Sequence, residues 1–203
     1  MSRPARRALT PILELIVLSV LVGLVPFVIS YDTAIMEEGL GEESFTETLH
    51  SLLSLLAALV FAAGAVKIPA CRGYLVLAAT LYGMVFIREN DFLLDRIVHG
   101  FWIWPAMALA AVGGLLALRA RESIRPGFVA HIETRAAGIF YVGTILLIVF
   151  SRLFGTGALW EPIMGDNYPP AFKAALQEGL ELMACVLVAF GAVRSWRDGF
   201  GVR

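Results

Sequence analysis

Val85-Phe86-Ile87-Arg88-Glu89-Asn90-Asp91-Phe92-Leu93-Leu94-Asp95-Arg96-Ile97-Val98-His99 sets five charged residues and a histidine between two strongly apolar runs. Whether this stretch crosses a membrane or links two crossings decides the fold. An ionisable side chain at the centre of a membrane helix costs about 2.5–3.5 kcal/mol, so a segment with this much charge reads as a link. As a helix, steps of three and four residues put Arg88, Asp91, Asp95 and His99 on one narrow face, with Leu93, Leu94 and Ile97 on the other. The expectation is an interfacial amphipathic segment between a third and a fourth span.

Working outward, the chain is built for lipid. Of its 203 residues 59% are hydrophobic and only 16% are charged, and the mean hydropathy is +0.78, too apolar for an ordinary soluble domain. A net charge of -1 without a long basic tract argues against nucleic acid as a partner. Apolar runs near 9–29, 48–66, 74–88, 101–118, 136–154 and 172–193 approach the roughly 20 residues that cross about 30 Å of hydrocarbon. The spacing therefore predicts an all-α, single-domain bundle of six transmembrane helices over 1–203, arranged as three helical hairpins. Arg3, Arg6 and Arg7 would suit a signal-peptide leader, but the following run is too long and contains Glu14, so it reads as the first span.

Charge position sets the expected orientation. Twelve of sixteen Lys and Arg fall at the termini and in the two loops after even-numbered spans, while Arg88, Arg96, Arg152 and Lys173 fall toward the other face. The positive-inside rule then puts both termini in the cytoplasm of a bacterial inner membrane. The acidic link with Glu37, Glu38, Glu42 and Glu43 and the stretch ending at His99 would face the periplasm. His131, between Pro126 and Arg135, reads as a solvated residue of the cytoplasmic loop, and Cys71 and Cys185 sit in contexts unsuited to a disulfide.

Ionisable residues gather at the expected outer helix ends as a polar cluster of His50, Arg88, Glu89, Asp91, Asp95, His99, Arg152, Glu178 and Glu181. One expectation is an ion-pair network in which Arg88 and Arg152 are neutralised by Glu178, Glu181, Asp91 or Asp95. The other is a metal site. Glu47 and His50 have the i, i+3 spacing of carboxylate-bridged metal bundles, Asp95 and His99 repeat the ligand types at i, i+4, and Glu178 and Glu181 add oxygen donors. That mixed set suits iron, manganese or zinc, and His50 with His99 allows at most one bis-histidine haem b. Gly113, Gly114, Gly138, Gly143 and Gly179 are expected where helices approach closely.

No nucleophile elbow, phosphate loop or zincin motif is present, and the sequence by itself requires no cofactor. The leading functional expectation is thus a non-catalytic membrane protein, a complex subunit or assembly partner, meeting another membrane protein or a second copy of itself. The alternatives are a metal-dependent membrane enzyme or redox protein using His50, His99 and the outer carboxylates, and a carrier of small solutes or ions.

Overall fold

The computed structural model describes residues 3–35 and 44–202, with side chains from residue 9 onward except those of 35 and 170. Glu37, Glu38, Glu42, Glu43, the side chains of Arg3, Arg6 and Arg7, and Arg203 lie outside the described residues. The elements are α1 (Arg3–Ile35), α2 (Phe45–Lys67), α3 (Arg72–Glu89), a single-turn α4 (Asp91–Leu94), α5 (Ile103–Arg119), α6 (Ile124–Ile132), α7 (Arg135–Ile145), α8 (Ser151–Phe154), α9 (Gly157–Met164) and α10 (Pro170–Arg197). A π-helical turn, Leu146–Phe150, joins α7 to α8. No strand occurs among the described residues.

Among the described residues five helices are long and apolar enough to cross a membrane: Leu9–Ala34, Phe45–Lys67, Pro69–Glu89, Arg135–Phe154 and Ala171–Arg197. A sixth candidate is the pair Ile103–Arg119 and Arg121–Ile132, bent by 85°. The protein is therefore an all-α polytopic bundle. α5 packs along α3, and the turn that follows it, Arg121–Ser123, is fastened to the start of α3 by Gly73 N–H, which donates to Ser123 Oγ at 2.8 Å.

α2, α3, α7 and α10 enclose an aromatic core, where Phe61 lies 4.9 Å from Phe140 and 5.5 Å from Phe200, and Tyr82 lies 5.5 Å from Phe140, centroid to centroid. Burial of such rings dominates core energetics, and their tilted contacts add about 0.5–1.5 kcal/mol per pair. α5 packs on the outside of α3. α1 stands at the periphery: only 6% of its apolar window is buried, and it leans more on α10 than on α2. Of the three expected hairpins the second and third are packed as such, α3 against α5 and α7 against α10, whereas α1 barely meets α2, and the most extensive interface joins α2 to α3.

Two local expectations are corrected. The amphipathic stretch does not continue as one helix. α3 ends at Glu89, where Asn90 Nδ2 donates to Phe86 O at 2.7 Å and to Ser51 Oγ at 2.6 Å, pinning the chain to α2. His131 is not solvated. It is fully buried on α6, with Nδ1 2.6 Å from Tyr74 Oη and Nε2 2.6 Å from Ser195 Oγ, so two polar partners satisfy the ring in an apolar setting.

Small residues do let helices approach, at some of the expected positions. A Cβ on Gly143 would meet Ala184 O at 3.0 Å, and one on Gly113 would collide with Thr80. By contrast, Gly114 and Gly138 face open space and Gly179 has only Ile29 at 3.7 Å. The tightest crossing of α10 over α7 is at Gly191, where a Cβ would lie 2.7 Å from Phe140 N and 2.8 Å from its Cα. Since backbone cannot yield as a side chain can, Gly191→Val should destabilise the bundle by about 1–3 kcal/mol, whereas Gly138→Ala, in open space within α7, should stabilise it by up to about 1 kcal/mol. Thermal unfolding in mild detergent checks both, and equal midpoints for the two variants would contradict the packing.

Candidate metal centre

The start of α2 is held by two devices. Ser44 is the N-cap, its Oγ accepting from Glu47 N–H at 3.2 Å, a Ser-x-x-Glu pattern legible in the sequence. Asp32, fully buried near the end of α1, accepts from Phe45 N–H at 3.2 Å and Thr46 N–H at 2.8 Å, and from Thr46 Oγ1 at 2.5 Å. A carboxylate at a helix N-terminus also meets the positive end of the helix dipole. These contacts fix the first turns of α2, and with them Glu47 and His50. No spacing rule connects Asp32 to Thr46 fourteen residues on, so sequence reasoning misses this strap.

His50 is 1% exposed, and neither of its ring nitrogens has a hydrogen-bond partner among the described residues. Its Nδ1 faces three carboxylate oxygens: Glu89 Oε2 at 3.7 Å, Glu178 Oε2 at 3.7 Å and Glu47 Oε2 at 4.0 Å. These separations exceed hydrogen-bonding distance. Glu178 Oε2 is likewise buried and accepts no hydrogen bond among the described residues. Glu181, one turn further along α10 and 4% exposed, completes the cluster. Glu89 and Arg88 are adjacent on α3 and so about 100° apart around it. Glu89 therefore turns inward, while Arg88 turns out to Asp91, with Nη1 2.8 Å from Oδ2.

Two sets of donor atoms each lie within 4.8 Å of one another: Glu47, His50 and Glu89, and His50, Glu178 and Glu181. Ligands on opposite sides of a transition ion at bond lengths of about 2.0–2.2 Å are about 4.0–4.4 Å apart, so a contraction of a few tenths of an ångström would bring either set into range. Glu89 belongs to the expected polar cluster but not to the expected ligand set, and the end of α3 delivers it. Asp95 and His99 are in neither set. His99 is fully exposed, 3.2 Å from Asp95, on the irregular segment that replaces the expected helix.

Only one cation reaches the cluster directly among the described residues. Arg152 Nη2 lies 3.5 Å from Glu181 Oε1, which also accepts from Gln177 Nε2 at 3.1 Å. The π turn sets this contact. It inserts one residue ahead of α8, rotating that helix by about 100°, and buries Ser151 beside Arg152. Gly155 then allows close approach to α10, since a Cβ there would lie 2.7 Å from Gln177 Cβ. Arg152 is 52% exposed, so water screens much of its charge. Four carboxyl groups thus surround one imidazole with a single half-exposed arginine in direct contact.

Fold and cluster together define an all-α polytopic membrane protein with a histidine set among glutamates at one end of its bundle. Comparisons with protein-family models, curated proteins and solved structures find no match. Replacing Asp32 with alanine should cost on the order of 3 kcal/mol, because it removes charge-assisted bonds to two backbone N–H groups and a hydroxyl. Unfolding of Asp32→Ala in detergent measures this, and a variant as stable as the native chain would show that the strap does not hold α2.

Proposed function

We propose that the chain is a metal-dependent protein of the bacterial inner membrane that binds one or two first-row transition ions at Glu47, His50, Glu89, Glu178 and Glu181. In this reading α5 makes a sixth crossing, both termini are cytoplasmic and the cluster lies toward the periplasm, in keeping with the distribution of Lys and Arg. The observation that supports it most is the buried imidazole. Each unpartnered nitrogen costs about 1–3 kcal/mol when buried, and the acidic neighbours at 3.7–4.0 Å raise the demand for a cation. A bound divalent ion would take the Nδ1 lone pair and neutralise the carboxylates around it at once. One imidazole among several carboxylates favours iron or manganese, with zinc next, over a thiolate-seeking ion. The separation of His99 from the cluster argues against a bis-histidine haem.

Such an ion would supply Lewis-acid or one-electron chemistry. The chain's own groups would set its surroundings: Gln177 orients Glu181, and Arg152 tempers the charge of that carboxylate. Protein purified in mild detergent should contain about one or two equivalents of iron or manganese by elemental analysis, and no Soret band. His50→Ala and Glu178→Gln should each lower retained metal at least tenfold. Native protein that holds no metal as isolated, and takes none from ferrous or manganous solutions, overturns the proposal.

A second reading has its own observation. The Arg152–Glu181 and Arg88–Asp91 pairs are those of an ion-pair network that orders the bundle, as in a complex subunit or assembly partner. In a metal-free protein of that kind Arg152→Ala should lower stability by about 1 kcal/mol at most, the scale of a half-exposed pair. Thermal unfolding with and without chelator separates the two: a drop on chelation that His50→Ala abolishes belongs to the metal site, and insensitivity to chelator belongs to the network.

A further inference from the structure

At the opposite end of the bundle, α1, the start of α7 and the end of α10 enclose a crevice of about 930 Å³. This is near the upper end of the 300–1,000 Å³ typical of small-molecule sites. Its rim is charged. Arg194 is committed, with Nε 3.0 Å from Glu14 Oε1 and Nη2 3.4 Å from Asp198 Oδ2. Arg135 and Arg197 also line it, and neither has an ion-pair partner among the described residues. Below the rim the walls become apolar, with Leu15 and Leu18 from α1, Ile139 from α7 and Phe190 from α10.

We propose that this crevice binds a diacyl glycerophospholipid, its phosphodiester between Arg135 and Arg197 and its acyl chains between α1 and the bundle. Charge complementarity selects the headgroup. Two guanidiniums without an ion-pair partner among the described residues line one crevice, and the guanidinium fork is suited to phosphodiester oxygens. Glu133, on the same rim, accepts from the hydroxyl or ammonium groups of the headgroup. The position agrees: the arginines lie in the first turn of α7 and the last turns of α10, at the level of lipid phosphates, while the apolar walls lie deeper. α1, with 6% of its apolar window buried, leaves the room for acyl chains that a tightly packed helix would fill.

Native mass spectrometry of the full chain tests this by titration with phosphatidylglycerol, diacylglycerol and inorganic phosphate. Phosphatidylglycerol should bind one per chain at low ratios, diacylglycerol should not compete, and millimolar phosphate should not displace the lipid. Arg135→Ala with Arg197→Ala should weaken phosphatidylglycerol at least tenfold, from about 1 kcal/mol per basic residue facing anionic lipid. Arg135→Lys should recover part of the loss. Should the double variant fail to fold, Ile139→Trp, which fills the apolar part and leaves both arginines, should exclude the lipid instead. Equal binding of diacylglycerol, or of phosphatidylglycerol by native chain and variants, overturns the proposal; displacement by phosphate would make it a site for a free anion only.

Discussion

A buried imidazole facing carboxylates on three helices is the constraint around which the rest of the bundle is arranged. Two like charges about 4 Å apart repel by about 4 kcal/mol at an effective dielectric of 20, more than a typical hydrogen bond returns. Glu47, Glu89 and Glu178 therefore do not gather around His50 of their own accord. They are brought there by helices committed elsewhere: α2 by Ser44 and Asp32, α3 by Asn90 on Ser51, and α10 by its crossing with α7 at Gly191. A frame that strong is needed whether a metal ion completes the site or arginine pairs hold its margin.

The frame is the aromatic core. Phe61 on α2 touches rings from α3, α6, α7 and the turn after α10, namely Tyr82, His131, Phe140 and Phe200. His131 is the polar counterpart of His50: both are buried, but one has a hydroxyl on each nitrogen and the other has none among the described residues. Polar groups buried with complete partners specify a unique packing, whereas those without partners mark where the fold accepts a cost. The contrast within one molecule places the cost at the glutamate end.

How much of this is legible in the sequence depends on the range of each interaction. The all-α membrane fold is readable because apolar runs report directly on helix length, and the i, i+3 spacings of Glu47 with His50 and Glu178 with Glu181 survive because they lie on one helix each. Glu89 can be placed at the right end of the bundle from its position in the chain, but only the stop of α3 at Asn90 shows it turned inward. The stretch to His99 has the spacing of a continuous helix, yet the side chain of Asn90 closes the helix on Phe86 O and Ser51. His131 reads as solvated because a loop between basic residues usually lies in water, and only the fold shows α6 tucked under α3 and α10. The π turn before Arg152 has no signature in an apolar run.

α1 differs in kind from the other long helices. Its polar anchors are Glu14 on Arg194 at one end and Asp32 on α2 at the other, eighteen residues and so about 27 Å apart along its axis. Between them it offers mostly apolar side chains to lipid, with Val25 buried and Ile29 near Gly179 as inward contacts. A helix held at its ends and bathed in lipid between them adds little to the core, yet its far anchor is the strap on the turn that presents Glu47 and His50. The lipid-facing helix thus bears on the glutamate end through a buried carboxylate as well as the Ile29 contact, and the first part of the bundle to loosen if α1 left its place would be the start of α2.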